Sequence, residues 1–112
     1  IFRANGANSK YYYFRAGKDG AYDLSVSHDT TATHDQILKS GIATSIIATG
    51  LNQPNLVCVL AKGSNLYLYV NQKFLAQVHD STYQSGQIGV FGGDFASKSA
   101  DVAFTNMRVW KV

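Results

Sequence analysis

The carboxylates of this 112-residue chain are all aspartates: seven Asp and no Glu. Glycoside hydrolysis normally needs two carboxylates flanking the scissile bond. No two Asp here have a short, same-face spacing. Asp19 and Asp23 stand four apart across a turn, and Asp94 and Asp101 bracket a loop. Calcium is the next use of such oxygens, with Asp80, Asp94 and Asp101 as its candidates and Asn106 or backbone carbonyls beside them. Calcium takes about six to eight oxygens, and the dense D-x-D-x-D pattern of a dedicated loop is missing. Solvated turn aspartates are the plainer reading. His28, His34 and His79 lack zinc-like spacing, and no nucleophile elbow surrounds any Ser. The single Cys58, inside the most apolar stretch, reads as a packed thiol. Neither catalysis nor a cofactor is expected of the chain alone.

The aromatic residues carry a different chemistry. Tyr11, Tyr13 and Arg15 alternate with apolar residues, as do Tyr67 and Tyr69. Sugar rings present apolar C–H faces and hydroxyl edges. Tyr platforms flanked by hydrogen-bonding partners such as Arg15 and Asp23 therefore suit a saccharide. The same tyrosines also fit any half-buried strand whose hydroxyls reach water, or an interface with another chain.

Strands must position these side chains. Glu, a good helix former, is absent, while Val, Ile, Thr and Tyr are common and ten Gly supply turns. Only 15% of residues are charged and 46% are hydrophobic, so a single domain with a real core is expected over 1–112. Strand signals cover Ile1–Ala4, Tyr11–Ala16, Ala21–His28, Asn55–Lys62, Asn65–Val70, Lys73–His79, Gln87–Phe91 and Val102–Val112, with weaker ones at Gln36–Leu38 and Ser45–Ala48. The near-continuous run Leu56–Leu60 suggests a strand covered on both faces. The pattern predicts an all-β antiparallel sandwich or barrel.

Two hairpins can be registered. A three-residue loop Lys18-Asp19-Gly20, with Gly20 left-handed, pairs Ala16 with Tyr22, Phe14 with Leu24 and Tyr12 with Val26 on one apolar face. Arg15 then faces Asp23, Tyr13 faces Ser25 and Tyr11 faces Ser27. A two-residue turn at Asn71-Gln72 pairs Val70 with Lys73 and Tyr69 with Phe74. Uninterrupted alternation puts Leu66, Leu68, Val70 and Leu75 on one face, and Tyr67, Tyr69, Phe74, Ala76 and Val78 on the other.

The ordered motifs Asn55-Leu56-Val57-Cys58-Val59, Ala61-Lys62-Gly63, Leu66–Asn71, Asp80, Gly86-Gln87-Ile88-Gly89-Val90 and Val102–Val109 resemble the C-terminal portion of concanavalin A-like (LamG-like) jelly-roll domains. The nearest group is the bacterial 3-keto-disaccharide hydrolase, or glycoside hydrolase family 16-like, set. Tyr11–Arg15 followed by Asp19–Leu24 is similar to that group's central hairpin. The matched motifs are turn and core positions, so the resemblance implies a fold more than an activity. Family 16 glucanases use a Glu-x-Asp-x-x-Glu strand, for which this chain has no Glu. The family usually has Gly after the hairpin Asn, where this chain has Gln72, and a modified turn is expected there. The resemblance also implies strands ahead of Ile1. The chain is accordingly read as a processed or excised piece, its open edge filled by a strand from elsewhere.

A jelly-roll binding module of a larger bacterial extracytoplasmic protein is therefore expected, at the cell surface or outside it. Its partner would be a saccharide or cell-surface glycan. The alternatives are a structural module that self-assembles or accepts a strand donor through an open edge and a Tyr-rich face, and a fragment of a disaccharide-processing hydrolase. The net charge is +3, yet the ten Lys and Arg are scattered, so nucleic acid is not an expected partner. No apolar run is long enough to predict membrane insertion by a helix.

Overall fold

The computed structural model describes residues 1–5, 9–90, 104–105 and 107–110. Among these residues seven strands form two antiparallel sheets. The first holds β1 (Phe2–Asn5), β2 (Lys10–Ala16), β3 (Ala21–Ser27) and β4 (Gln36–Ile42) in sequential order. The second holds β5 (Val57–Lys62), β6 (Asn65–Val70) and β7 (Lys73–His79), also in order. One short 3-10 turn, Ala32–His34, precedes β4.

Tyr12, Phe14, Leu24 and Val26 from the first sheet meet Leu66, Leu68, Val70 and Ala76 from the second in one core. The architecture is a β-sandwich. Each fully buried Leu or Val here contributes on the order of 1.5–3 kcal/mol over the exposed side chain. Ile47, only 1% exposed, plugs this core from a loop. The segment Ser45–Ala48 is thus a turn and not a strand: the N–H groups of Ile46 and Ile47 both bend back to Ala43 O, at 3.0 and 2.8 Å, and Ile46 packs against the core beside Ile47.

The β2–β3 hairpin has the predicted register, from Tyr11 opposite Ser27 to Ala16 opposite Tyr22. Gly17 N–H donates to Ala21 O at 2.8 Å, and Gly20 takes φ +84°, the left-handed geometry this loop requires. At the second hairpin Asn71 and Gln72 both take positive φ, 53° and 65°. The turn is therefore a two-residue one with Gln72 left-handed, not the modified turn expected. Asn71 offsets that strain. Its side chain accepts from Leu56 N–H at 2.8 Å and donates to Ile46 O and Asn55 Oδ1, both at 2.9 Å.

Two irregularities alter the expected faces. Between the pairs Tyr69–Phe74 and Leu68–Ala76 the register shifts, leaving Leu75 as the extra residue of a bulge. Ala76 and Val78 consequently join the core face, with Leu66 opposite Val78, instead of sharing a face with the tyrosines. A second shift separates Leu24–Lys39 from Ser25–Ile37, which leaves Leu38 extra in β4.

β1 is bordered on its outer side. Ala4 and Gln87 exchange both backbone hydrogen bonds at 2.9 Å, and Gly89 N–H donates to Ile1 O at 3.0 Å. Arg3 Nη1 donates to Gly63 O at 2.8 Å and to Tyr83 O at 3.0 Å, tying β1 to the β5–β6 turn. β5, by contrast, has no second strand neighbour among the described residues. Leu56 and Val57 are 55% and 47% exposed, and Cys58 is exposed as well. The apolar run thus belongs to an edge strand instead of one covered on both faces, and the expected packing of Cys58 is corrected with it. Of the expected Val102–Val112 strand, the described residues 104–105 and 107–110 are not in a strand, and the rest lies outside the described residues.

Candidate functional site

The two Tyr pairs project from opposite outer faces of the sandwich, because each alternates with core residues of its own sheet. They cannot line one groove.

On the first sheet, cross-strand register brings Tyr13, Arg15, Asp23 and Ser25 together. Arg15 makes a two-pronged contact with Asp23, Nε to Oδ1 at 2.8 Å and Nη2 to Oδ2 at 3.0 Å, and Ser25 Oγ donates to Asp23 Oδ2 at 2.7 Å. That hydrogen-bonded carboxylate raises the Arg15 pKa further above its ordinary range. Tyr13 is only 9% exposed; its hydroxyl donates to Asp35 Oδ2 at 2.8 Å. Burial first, then the Asp35 hydrogen bond, push the Tyr13 phenol up. Asp35 Oδ1 is buried without a hydrogen-bond partner among the described residues. Tyr11 is half-buried, its ring 6.0 Å from that of Tyr13. This face is a connected polar network with its main donors and acceptors already engaged.

The second sheet presents a different outer surface. Its registers set side chains in three rows across β5, β6 and β7. Cys58, Tyr69 and Phe74 form the first, and Leu60, Tyr67 and Gln77 the second. Lys62, Asn65 and His79 form the third. Alternate residues of a strand put successive rows about 7 Å apart. Tyr67 and Tyr69 are half-buried, and Phe74 is 53% exposed. The Tyr69 and Phe74 rings meet edge to face with centroids 5.7 Å apart. In the third row His79 Nδ1 lies 3.2 Å from Asn65 Oδ1, and Lys62 is exposed. No carboxylate occupies any of these nine positions.

Asp80 works structurally. It accepts hydrogen bonds from the Tyr12 hydroxyl and, at 2.9 Å, from Thr82 N–H, closing the turn after β7. Burial alone would raise its carboxyl, but the bonds from Thr82 and Tyr12 hold it below the usual range. Asp94, Asp101 and Asn106, the other calcium candidates, lie outside the described residues. Among the described residues no three His, Cys, Asp or Glu side chains gather as metal ligands. His34 Nδ1 meets Asp29 Oδ2 at 2.8 Å on an exposed loop. This contact and the Thr31 N–H hold Asp29 low.

No family model, curated protein or solved structure matches the chain.

Phe74, Gln77, Lys62, Asn65 and His79 were not singled out as site residues in the sequence. The signal for three of them lies in Phe74-Leu75-Ala76-Gln77-Val78-His79. Two adjacent apolar residues precede a clean apolar–polar alternation, as they must where a strand changes phase. Beside β1 and β5 a separate cavity of about 170 Å³ is lined by Phe2, Val59, Ala61, Ile88 and Trp110 together with Arg3. Trp110, 70% exposed, stands at this cavity.

Proposed function

We propose that the chain is a non-catalytic carbohydrate-binding module, of concanavalin A-like jelly-roll type, serving a larger bacterial extracytoplasmic protein. The saccharide stacks on Tyr67, Tyr69 and Phe74, while Gln77 and Asn65 meet its hydroxyl edges. The observation that carries this reading is the aromatic row itself, fixed on sheet backbone with the Tyr69 and Phe74 rings edge to face and the Phe74 ring half exposed. Aromatic side chains on a rigid sheet lose little conformational freedom when a sugar ring settles on them. The Tyr11, Tyr13, Arg15 and Asp23 set is the less suited of the two faces, since Tyr13 is buried and bonded to Asp35.

Affinity electrophoresis of the chain in gels containing soluble polysaccharides tests the proposal. Tyr67→Ala with Tyr69→Ala should abolish retardation; because the Tyr69–Phe74 contact is lost as well, the denaturation midpoint falls, and retardation is read well below it, on the folded variant. Retardation that survives the double variant would refute it.

A second reading, self-association through an open edge, is favoured by the exposure of Val57 at the start of β5 and of Leu56 just before it. It predicts a mass by light scattering that grows with concentration, together with indifference to every polysaccharide.

A further inference from the structure

The saccharide reading leaves open what kind of saccharide, and the third row of the second sheet bears on that. Lys62, Asn65 and His79 stand in register across β5, β6 and β7, one row beyond Tyr67. The row holds an exposed ammonium, an amide and an imidazole. The Asn65 oxygen faces His79 Nδ1, which turns the Asn65 NH₂ into the group left to donate to a ligand. Of the chain's seven aspartates, those at 19, 23, 29, 35 and 80 all lie off this face, so no described carboxylate competes for Lys62.

Resting on the saccharide reading, we propose that this face takes a uronic-acid polysaccharide, its rings stacked on Tyr67 and Tyr69 and its carboxylate received by Lys62 and Asn65. The charge is complementary: a cationic row without acids draws an anion. One ammonium beside one amide donor suits a single carboxylate per contacted ring. A densely sulfated polymer calls for a cluster of Lys and Arg, and its substituents cover the C–H faces that aromatic rings need. Row spacing fits as well, since about 7 Å separates the Tyr67 row from Lys62. A carboxylate borne on a stacked ring lies within reach of a flexible lysine across that distance.

The test uses the whole chain in affinity gels at low ionic strength with a chelator present. The gels hold alginate, neutral laminarin or dextran sulfate, and the variants are Lys62→Gln and a remote control, Lys18→Gln. The expected result is retardation by alginate above that by laminarin, relieved by added salt. Lys62→Gln should weaken it roughly two- to fivefold, as for one exposed ion pair, while Lys18→Gln leaves it unchanged. Equal retardation by laminarin, with Lys62→Gln without effect, would overturn the anionic inference but leave saccharide binding standing. Equal losses in both lysine variants would reduce the effect to net charge and overturn it too. So would dextran sulfate binding without alginate binding. Indifference to all three polymers would sink the inference and the binding reading together.

Discussion

The guanidinium carbon of Arg15 lies 4.9 Å above the ring centre of Tyr13. The contact joins two side chains that the sequence nominates for ligand binding and engages them with each other. Tyr13 should therefore behave as a structural residue. Tyr13→Phe removes the donor to Asp35 Oδ2 while Asp35 Oδ1 already lacks one among the described residues, and should cost about 1–3 kcal/mol by urea denaturation. A change below the error of the measurement would mean that water satisfies Asp35 as well as Tyr13 does.

The Tyr12–Asp80 contact sets the pH behaviour. Burial, followed by the Asp80 hydrogen bond, pushes the Tyr12 phenol above its ordinary 10.0. The unfolded chain then ionises first, so stability present below pH 10 is lost as pH rises toward the folded value. Asp80 is shifted the other way, below 3.8. Its contribution is present above that value and is lost as pH falls through the lower, folded one. Asp80→Asn should flatten the acid limb of a stability–pH curve without abolishing it, because His34 also holds Asp29 low. An acid limb identical to that of the parent would show that Asp80 ionises alike in both states.

Gln72 is a non-glycine residue at φ +65°. Such a conformation costs roughly 1–2 kcal/mol, of which glycine's greater chain entropy gives back part. Gln72→Gly should stabilise the chain by about 0.5–1 kcal/mol, read as a higher urea midpoint at constant slope. A lower midpoint would show that the Gln72 side chain makes a compensating contact.

Gly86 has φ +146°, and a Cβ there would stand 2.5 Å from the Ala4 carbonyl oxygen. Gly86→Ala should disturb the pairing of β1 with residues 87–89. In hydrogen exchange, the amides of Ala4 and Gln87 should lose protection while those of Leu24 and Val26 keep it. Unchanged protection at Ala4 would contradict the pairing.

What the sequence made legible was whatever turn parity controls. The Gly17–Gly20 loop admits only one register that keeps Phe14 and Leu24 together, and that register is the one observed. The Asn71-Gln72 turn likewise gave Tyr69 opposite Phe74. The bulges at Leu38 and Leu75 escaped notice because the extra residue is itself apolar and does not break a hydrophobic run. Edge position escaped for a similar reason. Leu56–Leu60 has the composition of a buried strand, and only topology leaves Cys58 exposed. Of the candidate site, Tyr67 and Tyr69 could be named from alternation alone, whereas the polar row beside them depends on the irregularity in β7.

That irregularity means β7 is written in two reading frames. Lys73 and Phe74 follow the frame set by the hairpin tip, whereas Ala76 to His79 follow the opposite one. Excising Leu75 alone would straighten β7 and leave the pairing in place, with Ala76 still opposite Leu68 and Gln77 still opposite Tyr67. Pairing Leu75 in place of bulging it would instead set Leu75 opposite Leu68 and Gln77 opposite Leu66, with Ala76 and Val78 turned out beside the tyrosines. Interior packing and surface chemistry in this half of the sandwich thus hang together on whether one leucine is looped out or paired.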